Sequence, residues 1–367
     1  MKSKASIIRC HSYDSDDLYE AVKKSVDLIG GIERFVERGQ KVLLKPNLLK
    51  EANPEEAVTT HPEFVRAVIR LVKEQTGNIF IGDSPGGSVK AQTVYKSCGI
   101  EKVAVEEGAQ LIQFNSIVKK DNIPFAKIMD EVDVLISLPK FKTHNLALIT
   151  AAVKNVFGLI PGLHKVHVHK QAPNFINFGR ELARVYRIAK PHLSIVDAVV
   201  AMHGDGPAGG DPYNLGLVVA SRDAVSIDAI LSKIIGIQPL SVPSTKAAAL
   251  MQLGQADINN IDITGVSLED IIVRDFKLPK ILALFKIPNL LAKSLLHLIP
   301  LMMSIDNLKC NGCLVCKNIC PQGAIKSVRG CLNLDFRRCI LCLCCSEMCP
   351  NNAIYLRFLN RRKESGK

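Results

Sequence analysis

The sequence predicts two unlike modules: an α/β body whose mainly parallel sheet is flanked by helices, and a small C-terminal α+β module organised by cysteines. Three observations carry this expectation. Up to about residue 270, short β-rich runs alternate with amphipathic stretches, the pattern of a parallel sheet covered by helices on both faces. Ten of the 12 cysteines fall between Cys310 and Cys349, and only Cys10 and Cys98 lie before them. Hydrophobic content is 47 % with no low-complexity tract, which marks a folded chain.

The elements follow in order. Residues 6–10 read as a strand, and 16–29 as a helix with Leu18, Val22, Val26 and Ile29 at helical spacing. Residues 41–45 form a strand stopped by Pro46-Asn47, and 62–74 a helix behind His61, which Pro62 biases to extended geometry. Strands at 78–82, 109–114 and 134–138 alternate with a helix at 90–98. Helices are expected near 150–157 and 175–188, strands at 193–196 and 215–220, and a helix at 224–235. The stretch 278–303 is strongly apolar, but Lys280, Lys286 and Lys293 recur in it and Pro279, Pro288 and Pro300 divide it. A spanning helix needs about 20 mostly apolar residues in a row, so this stretch reads as a packed connector, with peripheral contact to a membrane surface as the alternative. The expected division is 1–274 for the α/β domain, 275–304 for the connector, 305–357 for the cysteine module and 358–367 for a basic, disordered tail.

The cysteines are written twice in one pattern. Cys310, Cys313, Cys316 and Cys320 form C-x2-C-x2-C-x3-C closed by Pro321. Cys339, Cys342, Cys345 and Cys349 repeat it 29 residues later, closed by Pro350, and each copy continues into Ala-Ile. This is the bacterial two-cluster ferredoxin run, in which the fourth cysteine of each copy ligates the other cluster. The expected ligands are therefore Cys310, Cys313, Cys316 and Cys349 for one [4Fe–4S] cluster, and Cys339, Cys342, Cys345 and Cys320 for the second. Such a module handles single electrons at low potential. A disulfide scaffold would need an oxidising compartment, and paired zinc sites would not need a third cysteine and a Cys-Pro in each copy. Cys331 and Cys344 read as packing residues beside the clusters, and Cys10 and Cys98 as small buried hydrophobes.

In the α/β part, ligands are expected at the carboxyl ends of parallel strands. Four such ends are polar. The first carries Lys45 and Asn47. The second is a Gly-rich loop with Asp83, Gly86 and Gly87, which can aim backbone N–H groups at an anion but has neither dinucleotide nor Walker spacing. The third carries Lys140, Lys142 and His144, followed one helix later by Lys154. The fourth is the loop with His203 and Asp205, next to Gly204, Gly206, Gly209 and Gly210. The convergent cations point to an anionic small molecule held by Lys45, Asn47, Asp83, Gly86, Gly87, Lys140, Lys142 and Lys154. His144, His203 and Asp205 are the candidates for acid–base work. His164, His167 and His169 form H-x2-H-x-H, a weak metal pattern without a matching carboxylate.

Net charge is +12, and two oxidised four-thiolate clusters would bring it to about +8. A basic surface fits an acidic electron donor or acceptor of ferredoxin or flavodoxin type. Nucleic acid is disfavoured, because no module signature is visible and the chain has no Trp. No secretory h-region is seen near Met1, and together with reduced thiols this predicts the cytoplasm. No flavin fingerprint supports a flavin.

Taken together, the segments 41–49 (KVLLKPNLL), 59–65 (TTHPEFV), 81–87 (IGDSPGG), 133–144 (DVLISLPKFKTH), 152–161 (AVKNVFGLIP) and 194–207 resemble the family called domain of unknown function 362. The resemblance covers residues 5–265 and implies the same architecture, since family members often carry a C-terminal two-cluster module. It implies no reaction. The expected function is a ferredoxin-coupled reductase whose clusters relay single electrons to an anionic substrate. The alternative is a non-catalytic electron-transfer subunit whose α/β domain docks a partner enzyme.

Overall fold

The computed structural model describes residues 2–87, 89–172, 174–279, 301–328 and 331–358. Most of the apolar stretch 278–303 and of the basic tail lies outside the described residues, as does the side chain of Cys331. No helix among the described residues is long and apolar enough to cross a membrane.

The chain opens with β1 (Ser3–Arg9) and α1 (Ser15–Asp27), then β2 (Val42–Pro46), α2 (Pro62–Lys73), β3 (Ile79–Ile81), α3 (Ala91–Ser97), α4 (Ile100–Glu106) and β4 (Gln110–Leu111). A hairpin of β5 (Ile117–Lys120) and β6 (Ile123–Ala126) precedes β7 (Val134–Leu138), β8 (Lys140–His144) and β9 (Leu148–Thr150). Helices α5 (Ala152–Asn155), α6 (His164–Gln171) and α7 (Phe175–Ala189) lead to β10 (Leu193–His203) and β11 (Asp211–Ser221). The body ends with α8 (Ala224–Ile234), α9 (Pro243–Leu250) and β12 (Ile261–Gly265).

Apart from the separate β5–β6 hairpin, these strands form one mixed sheet in the order β12-β1-β11-β10-β7-β2-β3-β4, with β8 paired to β10 and β9. The half containing β10, β7, β2, β3 and β4 is parallel, while β11 runs antiparallel to both β1 and β10. The α/β expectation is therefore borne out, with an antiparallel insertion. Local chemistry sets the helix starts. Asp14 caps α1, whose first turn carries Asp16 and Asp17, where negative charge complements the helix dipole. Pro62 occupies the first turn of α2, where its missing N–H costs no hydrogen bond. Asp223 caps α8 by accepting from the Val225 and Ser226 amides.

Two departures from the expected elements matter for the site. Residues 140–144, read as a polar strand end, are a fully buried strand. The histidine-rich segment with no assigned element is α6.

The cysteine module pairs β13 (Leu301–Ile305) with β16 (Ile354–Phe358), and β14 (Ile325–Val328) with β15 (Cys331–Leu334), both antiparallel. One short helix carries the third motif cysteine of each copy, Val315–Ile319 with Cys316 and Cys344–Glu347 with Cys345. Each copy also bends through left-handed backbone at matching places: Gly312 and Leu314 in the first, Leu341 and Leu343 in the second. For leucine this conformation costs free energy, and it recurs where the loop must turn successive cysteines toward one centre.

Candidate functional site

Sheet order fixes where the site lies. From β2 the chain proceeds to β3 on one side, while β7 lies on the other. That reversal makes a crevice at the carboxyl ends of β2 and β7. Asn155 of α5 bridges it, donating from Nδ2 to the Lys45 carbonyl at 3.2 Å and to Ser137 Oγ at 2.9 Å.

At the floor, Lys45 and Asp83 form an ion pair of 2.9 Å with side chains 0 % and 1 % exposed. Asp83 also accepts from the amides of Leu48 and Ser84 at 2.7 and 2.8 Å. Lys45 donates to the Pro46 carbonyl at 2.8 Å. Each charge is thus answered within the pair. Lys140 is likewise committed elsewhere. It pairs with Asp197 at 2.9 Å and donates to Tyr13 Oη at 2.7 Å, while Tyr13 donates to Asp197 and stacks on His61 at 3.6 Å.

Above the floor is a cavity of about 70 Å³. Of the predicted residues, Asn47, Asp83, Gly86, Gly87, Lys142 and Lys154 line it. Lys45 stands behind Asp83, and neither Lys140, His203 nor Asp205 reaches it. His203 instead accepts from the Lys277 amide through Nδ1 and packs against Tyr213 and Phe276.

Two charged lining residues escaped the sequence reading. Lys165 of α6 donates to the Ser84 and Pro85 carbonyls, and burial lowers its pKa to about 7. It lies four residues before buried His169, so the two share a face of α6, whereas His164 and His167 are exposed. Read by helical face rather than by imidazole count, the motif would have revealed Lys165. The three histidines do not converge, and among the described residues no three His, Cys, Asp or Glu side chains could share one metal ion.

The second is Glu347, from the cysteine module. Its carboxylate lies 3.3 Å from His144 Nε2. His144 Nδ1 accepts from the Leu146 and Ala147 amides at 3.0 and 3.1 Å. Burial holds the ring neutral, with its pKa well below the ordinary value, so its single proton sits on Nε2, close to Glu347 but not hydrogen-bonded to it. Only the spatial meeting of the two modules reveals this contact.

The electrostatics of the cavity are lopsided. Lys142, Lys154 and Lys165 join the Lys45–Asp83 pair, and Glu347 is the other carboxylate on the lining. Burial, joined by neighbouring lysines, lowers the pKa of Lys142 and Lys154. Lys142 donates to the Val58 carbonyl. Lys154 has no hydrogen-bond or ion-pair partner among the described residues. A surplus of buried cation is costly unless an anion answers it.

The module supplies the opposite wall through Ile319, Cys344, Glu347 and Met348. Contact with the Gly-rich loop is close. A Cβ at Gly86 would meet Met348 Sδ, and one at Gly87 would meet Ile319 Cδ1. These glycines therefore let the module approach, in addition to any role toward a ligand.

The eight motif cysteines fall into two groups. Cys310, Cys313, Cys316 and Cys349 line one cavity, and Cys320, Cys339, Cys342 and Cys345 line another. The described cysteines are free thiols. The Ala324 amide donates to Cys320 Sγ and the Ala353 amide to Cys349 Sγ, each at 3.2 Å. Four sulfurs around a cavity suit a multi-iron group better than a single tetrahedral ion, which needs metal–sulfur distances of about 2.3 Å. The donor set and the N–H···S bonds thus fit [4Fe–4S] clusters.

An α/β body with a polar crevice at its switch point, joined to a twin-repeat cysteine module, defines an iron–sulfur electron-transfer protein. The 4Fe-4S binding domain matches residues 303–326 and again 332–355. Residues 42–233 match Domain of unknown function (DUF362), and the chain belongs to that family. It is 32 % identical over 307 residues to the thylakoid-associated protein sll1697 of Synechocystis sp., covering 81 % of this chain and 95 % of that one. Among solved structures it is similar to the lactate racemase apoprotein from Thermoanaerobacterium thermosaccharolyticum, at 12 % identity and a TM-score of 0.38, over 59 % of this chain and 54 % of that one. A protein from Thermotoga maritima matches at 12 % identity and a TM-score of 0.36, over 67 % and 61 %.

Proposed function

We propose that the protein is an iron–sulfur reductase that passes electrons to a small anionic substrate held between its two modules. The observation that carries this is the cavity itself. Lys142, Lys154 and Lys165 come from the α/β body, Cys344 and Glu347 from the cysteine module, and all five line one space. A pure electron carrier has no use for such a site.

In this reading Cys310, Cys313, Cys316 and Cys349 hold one [4Fe–4S] cluster, and Cys320, Cys339, Cys342 and Cys345 the other. When bound, such clusters accept and release single electrons at low potential. Lys154 supplies the open positive charge for the substrate oxyanion, with Lys142 and Lys165 beside it. His144 Nε2–H and Glu347 fix the polar wall next to the module. Asn47 Oδ1, which lacks a partner among the described residues, accepts from a substrate hydroxyl or amide.

Electrons come from an acidic redox protein. Lys309, Lys317, Lys326, Arg337, Arg338 and Arg357 are exposed on the module, and no acidic residue in its described part is exposed, which favours docking by charge complementarity. Clusters held by reduced thiolates favour a reducing compartment, and the cytoplasm is the compartment this reading assigns.

The test uses anaerobically purified full-length protein. Native mass spectrometry seeks a co-purified anion, and EPR of the reduced protein is recorded with and without added inorganic phosphate or small carboxylates. The reading predicts a bound anion, or an anion-dependent change in line shape. Lys154→Met should weaken that binding by at least about tenfold, the loss of one charge-assisted hydrogen bond. Full iron content with no anion bound and no spectral response would contradict it.

A further inference from the structure

The two cysteine copies share one spacing and end in the same Cys-Pro turn, yet the α/β body touches them unequally. Lys50, in the loop after β2, is 5 % exposed. Its Nζ donates to the Cys349 carbonyl at 2.9 Å, to Asn352 Oδ1 at 2.9 Å and to the Pro350 carbonyl at 3.4 Å. Three oxygen acceptors match the three N–H donors of an ammonium group. The turn itself is the same in both copies: the Gly323 amide donates to the Cys320 carbonyl at 3.2 Å and the Asn352 amide to the Cys349 carbonyl at 3.3 Å. The difference is the cation, because among the described residues no side-chain cation bonds to Cys320 or Pro321.

The loop carrying Lys50 is itself held. The Leu49 carbonyl accepts from the Gly86 amide at 2.8 Å, and Leu49 packs beside Ile319 and Met348. The ammonium is therefore fixed in position, away from solvent that would screen it.

We infer that Lys50 is a positioning and tuning residue for the cluster site formed by Cys310, Cys313, Cys316 and Cys349, and that it makes this site the higher-potential member of the pair. A fixed positive charge stabilises the more negative, reduced state, and its burial strengthens the effect. The fold thereby breaks the equivalence of two similar sites and gives electrons a preferred resting place. This rests on the cluster assignment but not on the anion cavity.

The experiment is an EPR-monitored potentiometric titration of full-length protein, wild type against Lys50→Met, Lys50→Gln and Lys50→Arg, with iron content measured on each sample. The expected result is that one of two midpoint potentials falls in both charge-free variants, the other holds, and Lys50→Arg restores the first. Potentials that stay put, or that both fall equally, at wild-type iron content would overturn the inference. So would loss of iron in both charge-free variants with retention in Lys50→Arg, which would make Lys50 a purely structural latch. A wild-type protein without iron would instead overturn the cluster assignment, and the metal analysis shows this before any potential is read.

Discussion

Asp228 shows how one buried acid can set a pH response. Its Oδ1 accepts from the Ala152 and Val153 amides at 2.7 and 3.3 Å, capping α5, while Oδ2 has no partner among the described residues. Burial raises its pKa from 3.8 to about 7, with Asp223 adding to the rise and the two amides opposing it. The folded value lies above the unfolded one. The stability contribution is therefore full below about pH 4 and is lost as pH rises through 7. Asp228→Asn keeps an oxygen for both amides and removes the titration. Urea unfolding at pH 5 and pH 8 should show the variant gaining on wild type as pH rises, by about 2 to 3 kcal/mol. A difference that does not change with pH would contradict this. No sequence pattern announces Asp228, because its partners lie more than 70 residues upstream.

At the scale of elements, the legible parts are those that local pattern controls. Residues 134–138 were readable to the residue as β7, since five residues ending at Pro139 leave little choice of register. Strand β8 was read as a polar strand end because Lys140, Lys142 and His144 follow an apolar strand. Their burial depends on Asp197, the Val58 carbonyl and Glu347, none of which is near in sequence. Helix α6 was missed because His164, His167 and His169 obscure the face it buries. The turn after α5 carries a further constraint. A Cβ at Gly158 would meet Asp83 Oδ1 and Lys45 Nζ. Gly158→Ala should therefore force apart the buried pair and destabilise the protein by about 3 kcal/mol or more. An unfolding midpoint unchanged from wild type would show that the pair can yield at no cost.

At the scale of the molecule, the cysteine spacing revealed the second module, and the strand-end polarity revealed the crevice. What neither could reveal is that the two face each other. Ile319, Cys344, Glu347 and Met348 complete a cavity begun by Asn47, Asp83, Lys142 and Lys154, and Lys50 reaches back to the Cys349 carbonyl. The sequence reading placed electrons in one module and an anion in the other. The structure brings residues of both modules to one boundary.

The most direct test of this account is the iron and acid-labile sulfide content of anaerobically purified protein, with EPR of the reduced state. The account predicts about eight irons and eight sulfides per chain, with the signal of two magnetically interacting [4Fe–4S] clusters. Zinc in place of iron, or iron for one cluster only, would contradict it.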